Sequence, residues 1–170
     1  TFTDAGFLIA KYLTTYCMLV GGIGLPENLH DMDFILTVTD EKNFAKFPRY
    51  ANSIKELVTA LAAEGFNIAV KYHPNANQQD LLELARLSKK VIILPSDLPF
   101  EVLLPLLSKA TLIAEFSSTL LTSKLLNPKM RVWSITHANQ NVPSELCRLF
   151  KAIKIESMSI EQLKQQVKVR

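Results

Sequence analysis

The sequence predicts an α/β domain, a parallel sheet with helices on both faces, and three observations carry that expectation. Short runs rich in β-branched and aromatic residues alternate with amphipathic segments along most of the chain, which is the order strand–helix–strand units impose. Runs such as FNIAVKY (66–72) are apolar almost throughout, as strands covered on both faces are. Finally, 170 residues at 48% hydrophobic content can build one core without disulfide or metal staples.

The elements run in order. Residues 6–20, GFLIAKYLTTYCMLV, read as a helix or as a helix plus a strand, and GGIGLPENLHD (21–31) reads as a loop. Its glycines Gly21, Gly22 and Gly24 make no dinucleotide fingerprint, because no G-x-G-x-x-G follows a strand and opens a helix. A plain turn is expected there. DFILTVTD (33–40) is a strand. SIKELVTALAAEG (53–65) is a helix, with Ser53 and Glu56 as a capping box and Gly65 as its stop. FNIAVKY is the next strand. A helix is expected over 79–88, a strand at VIILP (91–95) and a helix opening within LPFEVLLPLL (98–107). The strand ATLIAEF (110–116) and a helix opening at SSTLLTSKLL (117–126) come next. RVWSI (131–135), a helix near 143–151, a short strand AIKI (152–155) and a final helix from Ser159 complete the chain. The whole is Rossmann-like, with 1–32 as a lead-in segment and 33–170 as the domain proper. No internal repeat or low-complexity segment interrupts it.

Charge and cysteine content narrow the function. A net charge of +3 without a Lys/Arg run excludes a nucleic-acid binder and leaves room for an anionic ligand or membrane surface. Cys17 and Cys147 sit in apolar segments without metal-ligand spacing, and both read as reduced core thiols. No signal peptide and no run of spanning length is present, so a soluble, cytoplasmic protein is expected. The chain starts at Thr1, not Met, as a piece of a longer protein would.

In an open parallel sheet, ligands bind outside the carboxyl ends of the strands. Three groups are expected at such ends: His73 after strand 66–72, Glu101 past strand 91–95, and Ser117 with Ser118 after strand 110–116. The two serines open a helix, where unpaired N–H groups and the positive dipole end favour an anion. They make a phosphate cradle, or one of them is only an N-cap. Glu101 could accept hydrogen bonds from the vicinal hydroxyls of a ribose, or could simply favour the first turn of a helix. His73 could assist a departing phosphate, because imidazole exchanges protons near neutral pH, or could be an ordinary loop histidine. DMD at 31–33 matches the D-x-D of metal-dependent glycosyltransferases. Asp31 and Asp33 precede a strand rather than follow one, however, and no metal site is expected.

Taken together, YHP (72–74), LPFEVLL (98–104) and FSSTLLTSKL (116–125) resemble the nucleotide-binding half of bacterial sialyltransferases of GT-B architecture, lipooligosaccharide sialyltransferases and polysialyltransferases alike. The resemblance covers roughly residues 33–135. It implies an inverting, metal-independent enzyme that transfers sialic acid from CMP-sialic acid to a glycan acceptor, with no cofactor. His73, beside Pro74, would serve the leaving CMP as acid or hydrogen-bond donor, Ser117 and Ser118 would hold its phosphate, and Glu101 would bind its ribose. The family's acidic D-D/E-G motif is matched by TDAG (3–6), making Asp4 the candidate general base. Ala5 replaces the second acidic residue, and a helix-capping Asp4 is the alternative. The resemblance further implies bacterial lipopolysaccharide or capsule synthesis, peripheral attachment at the inner face of the membrane, and a homodimer. Such enzymes have two Rossmann-like halves, so the acceptor half is expected outside these 170 residues. Another polymer transferase with a similar donor domain, or a non-catalytic binding module, would share the same pattern.

Overall fold

The fold is seen in a computed structural model, which describes residues 8, 11, 12, 15, 25–44, 49–76, 80–107, 109–115, 117–136 and 143–168. Among them runs a six-stranded sheet: β1 (Phe34–Val38), β2 (Ile68–Tyr72), β3 (Val91–Leu94), β4 (Thr111–Ala114), β5 (Val132–Thr136) and β6 (Glu156–Ser159). Every pairing is parallel. The order is β3-β2-β1-β4-β5-β6, so the chain steps outward from β1 to β3, then returns to pair β4 with the other side of β1. Loops leaving β1 and β4 therefore diverge, and a crevice opens between them at the carboxyl edge. The Rossmann-like expectation is met.

The helices are α1 (Glu41–Phe44), α2 (Tyr50–Ala63), α3 (Phe100–Leu103), α4 (Ser118–Leu126), α5 (Ser144–Ala152) and α6 (Ile160–Lys168). Side chains alternate across a strand, and this alternation divides the core in two. Phe34, Leu36 and Val38 of β1 pack with Ile54, Leu57 and Leu61 of α2 and with Leu163 and Val167 of α6. Ile35 faces the other way, toward Phe100 of α3, Leu120 of α4 and Phe150 of α5. Both faces of β1 and β2 are buried, which explains why their sequences read as apolar runs.

Several elements depart from expectation, each for a local reason. Helix α2 starts at Tyr50, and Ser53 is no cap: its N–H already bonds the Arg49 carbonyl at 2.9 Å. Burial of Tyr50 decides the start, with its hydroxyl accepting the Thr39 N–H at 3.2 Å from the end of β1. Gly65 does stop the helix. It sits at φ 90, its N–H on the Ala62 carbonyl, and the Phe66 N–H reaches Leu61, a Schellman ending. The helix expected over 79–88 is absent from the part described, residues 80–88, where turns and a 3-10 turn at Leu84–Arg86 stand instead. There the Asp80 carboxylate accepts from the Tyr72 hydroxyl (2.9 Å), Leu84 N (2.9 Å) and Ala85 N (3.0 Å). Helix α3 lasts four residues, since Pro105 has no N–H to give the Glu101 carbonyl. AIKI is not a strand. Lys154 adopts φ 59, its N–H bonds Lys151 and Ile155 N–H bonds Phe150, so these residues end α5 and β6 begins at Glu156. Cys147 is exposed on α5 rather than buried, and Cys17 lies outside the described residues.

Candidate functional site

The crevice between β1 and β4 is a cleft of about 530 Å³. His73, Pro74, Glu101, Ser117 and Ser118 all line it. Far apart in sequence, they meet because β1 separates β2 from β4 and all three strands end on the same edge. Asp4 lies outside the described residues. Asp31 and Asp33 lie at the opposite, amino edge. The Asp33 carboxylate accepts the Asn67 N–H at 2.8 Å and borders a separate cavity with Lys109, Lys129 and Arg131. Among the described residues no group of three His, Cys, Asp or Glu is placed to hold a metal ion.

His73 extends the β1–β2 ladder by one bond, donating its N–H to the Val38 carbonyl at 2.9 Å. Its side chain is exposed at the cleft mouth. Nδ1 accepts the Asn75 N–H at 3.1 Å. An accepting Nδ1 carries no proton, so in the neutral ring the proton sits on Nε2. Pro74 fixes the turn that makes this bond, with Ala76 N–H closing on the His73 carbonyl at 2.9 Å.

Ser117 is the N-cap of α4, with extended backbone and its Oγ accepting the Thr119 N–H at 3.1 Å. The same hydroxyl donates to Thr119 Oγ1 at 3.0 Å. The capping alternative is therefore real, and it coexists with a place in the cleft. Leu120 N–H is taken by the Ser117 carbonyl at 3.1 Å. That leaves the Ser118 N–H and hydroxyl, neither hydrogen-bonded among the described residues, at the positive end of the helix. Ser118 is exposed.

Glu101 is half-buried in the first turn of α3, behind Pro99. The cleft also holds groups that sequence reasoning missed: Thr37 and Thr39 from β1 and its loop, Asp97, Glu115, and Lys71 from β2. The signal for Lys71 was present. It is the one charge inside an otherwise apolar strand, and it is 4% exposed. Burial pushes its ammonium below the ordinary lysine pKa, while Asp97 and Glu101 act against that push. For Glu115 and the threonines no pattern set them apart from strand-end polarity.

A family model, alpha-2,8-polysialyltransferase (POLYST), matches residues 26–136. The chain belongs to this family. The match runs from Pro26, just before a 3-10 turn at Glu27–Asp31, to the end of β5 and includes every cleft residue named above. Membership makes this a sialyltransferase chain, a glycosyltransferase with a CMP-sialic acid donor and a glycan acceptor. No curated protein and no solved structure matched it. Among the described residues no helix is long and apolar enough to cross a membrane.

Proposed function

We propose that the cleft binds the CMP moiety of CMP-sialic acid, and that the domain over 33–170 is the donor half of an inverting, metal-independent polysialyltransferase. The observation that carries this is the convergence of His73, Glu101, Ser117 and Ser118 on one cleft at the sheet's reversal point. The phosphate lies at the start of α4, taking hydrogen bonds from the Ser118 N–H and hydroxyl and from the backbone N–H of Ser117. Glu101 accepts from the ribose hydroxyls.

When the bond from the sugar's anomeric carbon to the phosphate oxygen breaks, the electron pair stays on CMP and the sugar becomes oxocarbenium-like. Fixed donors aimed at that oxygen stabilise the developing charge. The bond from Asn75 to Nδ1 leaves His73 with a proton on Nε2 to offer. Through that Nε2–H, His73 donates to the departing CMP oxygen. Asp4 is proposed as the base that takes the acceptor hydroxyl's proton, on the TDAG resemblance alone. The net charge of +3 suits attachment to an anionic inner membrane face, where capsule or lipopolysaccharide chains are built. A homodimer is proposed on the resemblance.

The test is kinetic. A donor that acts mainly in the transition state lowers turnover more than substrate affinity when removed. His73→Ala in the active enzyme should cut kcat by about 10²–10³-fold, the scale of one lost oxyanion donor, with donor KM changed far less. His30, exposed beside Asp31 at the amino edge, is the control, and His30→Ala should leave kcat intact. Equal kcat in His73→Ala and the parent would remove His73 from the mechanism.

A further inference from the structure

We infer that Lys71 is a positioning residue that builds the ribose end of the cleft. It rests on the reading of Glu101 as the ribose ligand and extends it to a side chain that need not touch the nucleotide.

A buried ammonium is costly unless its protons are satisfied, so the partners of Lys71 show what it is held for. Its Nζ donates to the carbonyls of Ser96 at 2.9 Å and Pro95 at 3.3 Å. These are the first two residues after β3. The side chain thus crosses from β2 to the neighbouring connection at the point where the chain leaves the sheet. Lys71 already pairs with Leu94 in the ladder, and its ammonium continues that pairing beyond the strand's end. The next helix is short and weakly fixed by itself: α3 spans four residues and has no side-chain cap. The position of Glu101 therefore depends on the turn at 95–99, and Lys71 holds the start of that turn.

Charge gives a second reason. Asp97, Glu101 and Glu115 all line the cleft, while Lys71 is the only Lys or Arg among its described lining residues. A cleft with three carboxylates repels a nucleotide phosphate. A fixed cation close to Asp97 and Glu101 offsets this, yet leaves the Glu101 oxygens as acceptors. An apolar residue of equal volume would fill the space but supply neither the two bonds nor the charge.

Two readouts on Lys71→Met test the inference. In the free protein, amide hydrogen exchange should speed up about tenfold or more over residues 97–103, with α4 amides unchanged. In binding, the preference for CMP over 2′,3′-dideoxy-CMP should fall about tenfold, through weaker binding of CMP. Unchanged exchange over 97–103, or equal loss of both nucleotides with the preference intact, overturns the role. Faster exchange in a protein whose parent shows no preference for the ribose hydroxyls would instead sink the ribose reading of Glu101 and leave Lys71 as the anchor of the turn. Should Lys71→Met not fold, Lys71→Gln can still donate to one carbonyl and must show both changes in smaller size. Neither change in that variant would also overturn the proposal.

Discussion

Ser117 and Ser118 are neighbours with different duties, and single substitutions separate them. The Ser117 hydroxyl is committed to Thr119, accepting from its N–H and donating to its Oγ1. Ser117→Ala should therefore cost about 1 kcal/mol of stability, the worth of a lost N-cap. Ser118 is exposed and caps nothing, so Ser118→Ala should stay within about 0.5 kcal/mol of the parent. In CMP binding the order reverses. Ser118→Ala should lose about 1–3 kcal/mol, the range for a hydrogen bond to a charged group, and Ser117→Ala should lose less. Urea unfolding and calorimetric titration of the two variants check both halves. If Ser118→Ala binds CMP as the parent does, the phosphate is not held there. At this scale the sequence was informative where side chains announce unusual chemistry, as the histidine at a strand end and the serine pair do. It was silent on hydrogen-bond direction: that His73 Nδ1 accepts the Asn75 N–H depends on the turn that Ala76 closes on the His73 carbonyl, and the residue types do not announce it.

Helix endings explain which elements could be read. Helices α2 and α5 close with the same Schellman geometry, one on Gly65 and the other on Lys154. The glycine was legible as a stop and the lysine was not, so AIKI passed for a strand although Ile155 is buried against the α5 side of the core. Strand β6 was missed for a related reason. It is an edge strand, two of its four residues are exposed, and ESMS has no apolar alternation. Strands β1, β2 and β4, buried throughout or nearly so, were found to within two residues, because there burial alone dictates composition. The two helix ends make paired predictions of opposite sign. Nothing lies within 4 Å of a Cβ built on Gly65, so Gly65→Ala should cost about 1–2 kcal/mol from the left-handed backbone alone. Lys154→Gly removes the same penalty of about 1–2 kcal/mol but adds about 0.4–1 kcal/mol of unfolded-state freedom, so a net gain of up to about 1.6 kcal/mol is expected. Equilibrium unfolding measures both, and two losses of equal size would refute the shared geometry.

The domain carries buried and half-buried ionisable groups at both ends of the sheet, Tyr50, Lys71 and Tyr72 toward the carboxyl edge and Lys124 over the start of β5, and alkaline pH probes them together. Burial raises the phenol pKa of Tyr50, with the charge of Glu115 adding to it. Burial likewise raises that of Tyr72, helped by Asp80. An unfolded phenol titrates at about 10.0. Above that pH the unfolded chain sheds protons that the folded chain keeps, so stability falls as pH rises, by up to about 1.4 kcal/mol per pH unit for each phenol. Lys71 and Lys124 work in the opposite sense. Their folded pKa values lie below the ordinary 10.5, the unfolded state binds more protons in that window, and stability rises with pH until 10.5 is passed. Beyond it the lysine contribution is constant and only the phenols act. The expected profile is therefore shallow just below pH 10.5, where the two effects oppose each other, and steep above. Tyr72→Phe isolates one phenol. It should lower stability at pH 7, because Asp80 loses a donor and the Leu82 N–H loses its acceptor. Above pH 10.5 its slope should be less steep than the parent's by about 1.4 kcal/mol per unit. Urea unfolding from pH 7 to 11.5 on both proteins decides it: parallel slopes above pH 10.5 would mean that the Tyr72 phenol ionises as readily folded as unfolded, and the part-buried Tyr72–Asp80 contact would not hold in solution.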